Sequence, residues 1–343
     1  MSVSAAIYGC AGLVLEESER AFFRAVRPWG FILFARNIDT PEQVRRLTES
    51  LREVAGHDAP VLIDQEGGRV QRLRPPHWRR YPSGRAYGDL YARDPEAGLA
   101  AVRLGARLIA ADLRVLGITV DCLPVLDVPV PGAHDVIGDR AYAEVPEAVA
   151  ALGRAAADGL LAGGVLPVMK HIPGHGRAGV DSHANLPIVA APRHRLEEQD
   201  FPPFQALSDL PLAMTAHVIY SAIDPDAPAT TSKKLIDEVI RGYIGFSGLL
   251  MSDDLSMEAL AGSISERARA SLAAGCDVVL HCNGRMAEME AVAREVPALG
   301  GEAQRRADSA VAMLPQCIDP PDPNENHARL AEFMGTDPQD RWG

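Results

Sequence analysis

Along the chain, short runs of β-branched and apolar residues alternate with longer stretches in which apolar positions recur every three or four residues. The runs Ala5–Tyr8, Phe31–Phe34, Pro60–Ile63, Ile118–Leu123, Val165–Met169, Leu212–Thr215, Leu249–Ser252 and Val278–His281 have strand length. Helical spacing occupies Glu17–Val26, Pro41–Val54, Glu96–Leu116, Pro146–Leu161, Lys233–Arg241, Ser265–Ala274 and Arg285–Arg294, with Thr40-Pro41 and Asp94-Pro95 supplying cap and first-turn residues. Strand followed by helix, repeated eight times, predicts an α/β protein built as a single-domain (β/α)8 barrel. A doubly wound open sheet is the alternative, but no phosphate-type glycine fingerprint follows the first strand.

In such a barrel the chemistry sits at the C-terminal ends of the strands. The polar clusters fall there. Asp64 to Arg69 follow the third strand, Lys170-His171 the fifth, His217 the sixth, Ser252-Asp253-Asp254 the seventh and His281 the eighth. A merely solvated surface would scatter these groups, so their convergence on one rim predicts a site.

Composition narrows the options. No linker interrupts residues 1–315, which are assigned to the barrel; residues 316–343 form an acidic, proline-rich tail to which no chemistry is assigned. The formal net charge of -12 lacks the basic footprint that nucleic acids and anionic membrane surfaces require. The N-terminal segment meets Glu16 and Glu17 early and has no basic region before its short apolar run, and no stretch reaches membrane-spanning length. Five scattered cysteines without a CxxC read as reduced core thiols. The expected compartment is therefore the cytoplasm, with no nucleic-acid or membrane partner.

Four constellations carry the candidate chemistry. In KHIPGHGRAGVDSH, from Lys170 to His183, glycines permit sharp or mobile backbone, which suits a loop that carries a catalytic group in and out of a pocket. Asp181 and His183 are separated by one residue, so in an extended stretch both project from the same side. A carboxylate on one imidazole nitrogen fixes the tautomer and leaves the other to donate or accept a proton near neutral pH. In GLLMSDDLSM, an apolar strand ends in Asp253 and Asp254; strand alternation gives them different roles, one facing the barrel axis and the other capping the turn. A rim carboxylate serves equally as nucleophile, metal ligand or general base, and spacing alone does not choose. Asp64 with Arg72, and Asp139 with Arg140, are suited to hydroxyl-rich substrates, since carboxylates accept from and guanidinium groups donate to sugar oxygens. The rival from another class is a metal-dependent hydrolase using His171, His175, Asp181 and His183, against which stand the glycine-punctuated loop and the nearby Lys170 cation.

The strings ARNI, DQEGGRVQR, IGDRAY, KHIPGHGRAGVDSHANLP and MSDDLSM, in this order, resemble glycoside hydrolase family 3, most closely its short, single-barrel β-N-acetylglucosaminidases of bacterial peptidoglycan recycling. The resemblance covers roughly residues 5–315. It implies Asp253 as nucleophile with Asp254 as a structural neighbour, His183 as acid/base with Asp181 as its partner, and substrate binding by Asp64, Arg72, Arg140, Lys170 and His171. It also implies a retaining mechanism on a small-molecule sugar or muropeptide substrate, N-acetylglucosamine linked to 1,6-anhydro-N-acetylmuramic acid, by a monomer with no cofactor and no metal.

Overall fold

The structure, a computed structural model, describes residues 2–132, 135–179, 186–315 and 323–336. All eight expected strands form: β1 (Ser4–Gly9), β2 (Pro28–Leu33), β3 (Val61–Ile63), β4 (Val120–Asp121), β5 (Leu166–Ile172), β6 (Leu212–Thr215), β7 (Leu249–Asp254) and β8 (Val278–His281). They pair in parallel and in sequence order, and β8 closes on β1. The chain is a single-domain (β/α)8 barrel.

Alternation along the strands sorts the core into two shells. Ala5 and Ile7 of β1, Ile32 of β2, Val168 of β5, Met214 of β6 and Met251 of β7 join one buried cluster that fills the barrel. Ala6, Tyr8, Leu33, Met169, Ala213 and Leu250 join a second cluster between barrel and helices. The predicted helical stretches form α1 (Glu17–Val26), α2 (Pro41–Ala55), α4 (Pro95–Arg114) and α5 (Pro146–Ala162), while α3 (Gly84–Arg93) is a helix the periodicity did not predict. Thr40 accepts from the Gln43 amide and Asp94 from the Ala97 amide.

Besides α3, two further long helices lie outside the predicted pattern. Gly301–Ala312 follows a backbone hydrogen bond from Leu299 to Val3, and its Ala307 and Ala310 join the barrel-interior cluster, so it stoppers the end opposite the polar rim. Pro323–Met334, in the segment read from sequence as a tail, docks on α4 and α3 with Leu330 and Ala331 buried. Among the described residues no helix is long and apolar enough to cross a membrane.

Candidate functional site

The site begins with a small hairpin. Immediately after β3, Gln65–Gly67 pairs antiparallel with Val70–Gln71, turning through Gly67 and Gly68 at φ 91° and 54°. Those left-handed angles favour glycine, and a Cβ at Gly67 would also run into the Pro82 carbonyl. The buried Gln65 side chain staples the return, its Oε1 accepting from the amides of Arg72 and Leu73 at 2.9 and 3.0 Å. Asp64, Glu66 and Arg72 are thereby brought to one wall of a cavity of about 270 Å³ at the C-terminal end of the barrel.

That wall is a chain of alternating charges. Arg72 Nη2 donates to Asp64 Oδ2 at 2.9 Å, and Lys170 Nζ donates to Asp64 Oδ1 at 2.8 Å and to Glu66 Oε1 at 2.6 Å. Glu66 then receives Arg140 through two parallel bonds of 2.8 Å. Burial works against Asp64, Glu66, Arg140 and Lys170, but their partners prevail. It would lower the Lys170 ammonium, yet Asp64 and Glu66 raise it above its ordinary range. It would raise both acids, yet Lys170 and Arg72 hold Asp64 well below the usual carboxylate range, and Arg140 with Lys170 holds Glu66 at about 2. Asp139, paired with Arg140 in the sequence pattern, instead meets Arg69 at 2.8 Å on the exposed side.

The neighbour of Lys170 is held from elsewhere. His171 Nδ1 lies 2.7 Å from Asp127 Oδ2, while Asp127 Oδ1 accepts the amides of His171 and His175 at 3.2 and 2.6 Å. Asp127 is wholly buried; burial raises its carboxyl, but His171 and these N–H bonds outweigh that and hold it at about 2. His175 also lines the cavity, its ring centroid 5.7 Å from that of His171. Burial, reinforced by His171, lowers its imidazole to about 4, so it is neutral at physiological pH.

At the end of β7 both carboxylates border the cavity, with the different roles that alternation requires. Asp254 is consumed by structure: Oδ1 accepts the amides of Ser256 and Cys282, Oδ2 accepts the Ser256 hydroxyl at 2.5 Å, and its carbonyl accepts from His217 Nε2 at 3.0 Å. Asp253 has Oδ1 fixed by the Asp254 amide at 2.8 Å, while its own amide donates to Thr215 Oγ1. Burial lowers the His217 imidazole, so it is a neutral strut under this turn.

The structure thus brings Asp64, Arg72, Arg140, Lys170, His171 and Asp253 to one cavity. Asp181 and His183 lie outside the described residues. Among the described residues no group of three or more His, Cys, Asp or Glu could hold a metal ion. Two participants escaped selection from sequence. Glu66 stands two residues from Asp64 on an extended stretch, so alternation puts both on one side. Asp127 is a lone acid in the apolar run PVLDVPV, where a buried carboxylate needs donors.

One expectation is corrected. The glycines of the segment after Lys170 do not mark a loosely packed loop as far as Ala178. Gly174 at φ 136° offers its carbonyl to the Tyr220 hydroxyl at 2.5 Å, Gly176 packs directly on Val128, and Arg177 Nε pairs with Asp200 Oδ2 at 2.6 Å. These glycines serve left-handed geometry and close approach. Within this segment, Gly179 differs in that a would-be Cβ meets no atom of the described residues within 4 Å.

A scan against family models matches residues 17–315 to the glycosyl hydrolase family 3 N-terminal domain. A β-hexosaminidase of Alkalilimnicola ehrlichii is 43% identical over 293 residues, covering 84% of this chain and 83% of the relative. One from Aromatoleum aromaticum is 38% identical over 314 residues, 90% and 87% of the two chains. The solved structure of NagZ from Neisseria gonorrhoeae in complex with N-trifluoroacetyl-D-glucosamine superposes with a TM-score of 0.85 at 32% identity, over 98% of each chain. The chain belongs to glycosyl hydrolase family 3. Within it, the protein is a glycoside hydrolase of the β-N-acetylhexosaminidase type.

Two outcomes follow from the packing and the charges. Gly176→Ala should cost about 1–3 kcal/mol through overpacking against Val128, whereas Gly179→Ala should melt as the parent does; equal melting temperatures for the two variants would contradict the packed base. Glu66 has its folded-state pKa depressed from 4.5 to about 2, so the stability it contributes is present above pH 4.5 and lost as pH falls toward 2. Glu66→Gln should therefore melt lower at pH 7, by about 3–5 kcal/mol for stranded buried cations, and show a shallower loss of melting temperature between those pH values. A parental slope in that acid range would refute the assignment.

Proposed function

We propose that the protein is a retaining exo-β-N-acetylglucosaminidase that removes terminal N-acetylglucosamine from muropeptides ending in 1,6-anhydro-N-acetylmuramic acid, in peptidoglycan recycling. The observation that carries this reading is the Asp253 carboxylate, oriented by the Asp254 amide and bordering the same cavity as the ion-paired wall. The cavity volume is close to the lower end of the usual ligand range of roughly 300–1,000 Å³, which suits one terminal ring rather than a threaded chain. The amide-bearing glucosamine bound by the Neisseria gonorrhoeae relative supports the N-acetyl preference.

Asp64, Arg72, Arg140, Lys170 and His171 hold the ring hydroxyls and amide, with fixed acceptors and donors presented side by side. Asp253 attacks the anomeric carbon while protonated His183 donates to the leaving oxygen, forming a covalent glycosyl-enzyme. Neutral His183 then takes a proton from the incoming water, and Asp181 stabilises the imidazolium in each half-cycle. The free, buried thiols of Cys10, Cys122, Cys276 and Cys282 suit a reducing compartment, in keeping with a cytoplasmic enzyme.

Asp253→Ala should abolish turnover of a chromogenic N-acetylglucosaminide, and His183→Ala should lower it about 10²–10⁴-fold; near-parental turnover by the Asp253 variant would remove it as nucleophile. Mass spectrometry of a digested muropeptide should find free N-acetylglucosamine and the anhydro-muramyl product. Cleavage of the chromogenic sugar with the muropeptide left intact would replace this substrate while leaving the reaction class in place.

A further inference from the structure

The substrate wall proposed above includes His171, and an imidazole binds a sugar hydroxyl predictably only if its tautomer is set. We propose that Asp127 is the positioning residue of this site: its carboxylate holds the proton on His171 Nδ1 and thereby turns Nε2 to the sugar.

The geometry is specific about which oxygen does what. Asp127 sits on the stretch after β4 that runs beside β5, where the Leu126 amide donates to the Lys170 carbonyl at 2.7 Å and the Lys170 amide to the Pro124 carbonyl at 3.0 Å. Its Oδ1 is occupied by two backbone donors, the amides of His171 and His175. Its Oδ2, among the described residues, meets the imidazole, at 2.7 Å from Nδ1. A fully buried carboxylate held ionised by its donors accepts and cannot donate, so the bridging proton belongs to the ring. His171 is itself buried but lines the cavity, and with Nδ1 committed to Asp127 the opposite edge, carrying Nε2, is the one available to a ligand. Neither oxygen of Asp127 lines the cavity, so its action on substrate passes through His171 and through the strand end it braces.

The division of labour between the two oxygens makes a selective variant available. In Asp127→Asn the amide oxygen can replace Oδ1 and keep both backbone bonds, while the amide nitrogen replaces Oδ2 and donates to Nδ1. The proton must then move to Nε2. Because the proposal rests on His171 contacting the sugar, the test compares Asp127→Asn, His171→Ala and the double variant on a chromogenic N-acetylglucosaminide. Asp127→Asn should fold and lose about 10- to 100-fold in kcat/KM, the scale of one hydrogen bond to a charged group. In the His171→Ala background the same change should cost nothing further. Parental kcat/KM in Asp127→Asn beside an impaired His171→Ala, or a loss that is additive in the double variant, overturns the positioning role. Parental kcat/KM in His171→Ala overturns the sugar contact itself, and the positioning role with it. Should Asp127→Asn not fold, nitrogen NMR of the unaltered protein with labelled histidine decides: Nδ1 of His171 carrying the proton is the expected signature, and a bare Nδ1 overturns the proposal.

Discussion

The ammonium of Lys170 is the constraint around which the site is assembled. It is 2% exposed at the end of β5, and a cation taken out of water to that extent is tolerated only with close counter-charges and hydrogen bonds. Asp64 and Glu66 supply both, which explains why the chain folds back into a hairpin directly after β3 instead of entering a helix. Glu66 is buried as well and Asp64 half-buried, and the obligation passes outward to Arg72 and Arg140. The short helical turn Gly138–Arg140, the hairpin and two barrel strands are thus joined by charge compensation as well as by chain connectivity. Three cations and two anions leave the wall with a net positive charge, bordering the same cavity as the Asp253 carboxylate.

A second carboxylate holds the adjacent residue. Lys170 and His171 are consecutive on an extended strand, and the partners that fix them come from different directions: the β3 hairpin for one, the stretch after β4 for the other. Further along, Tyr220, Val128 and Asp200 clamp the chain through Ala178. The wall and its continuation are therefore preorganised, as a site must be if binding energy is to go into orienting the reacting atoms. Groups held in this way need not rearrange when a ligand enters.

Much of this was legible in the sequence, for identifiable reasons. Strand lengths, helical periodicity and caps gave all eight strands and the principal helices, because each is a local property of the chain. Alternation required different roles of Asp253 and Asp254, the choice between them resting on the family resemblance, and in the structure Asp254 is tied up by Ser256 and Cys282. Less legible were features that depend on distant partners. The role of Asp127 exists only because β4 and β5 pair, some forty residues apart in sequence. The glycines at positions 174 and 176 left sharp or mobile backbone open because a sequence shows the missing side chain but not the Asp200 and Val128 atoms that stand where a Cβ would go. The helix Gly301–Ala312 was missed for a similar reason: its buried face is made of alanines, which carry little periodic signal.

The electrostatics also separate binding from proton transfer. Asp64 and Glu66 are pushed far below neutrality, and Lys170 and Arg140 far above it, so this part of the wall keeps one charge state across the physiological range. His175 and His217 are pushed the other way from a charged imidazole and stay neutral there. A site whose binding groups do not titrate can hold its ligand equally well while a separate group gains and loses a proton. That is the arrangement a two-step hydrolysis demands, since the acid of the first step must become the base of the second without the sugar shifting.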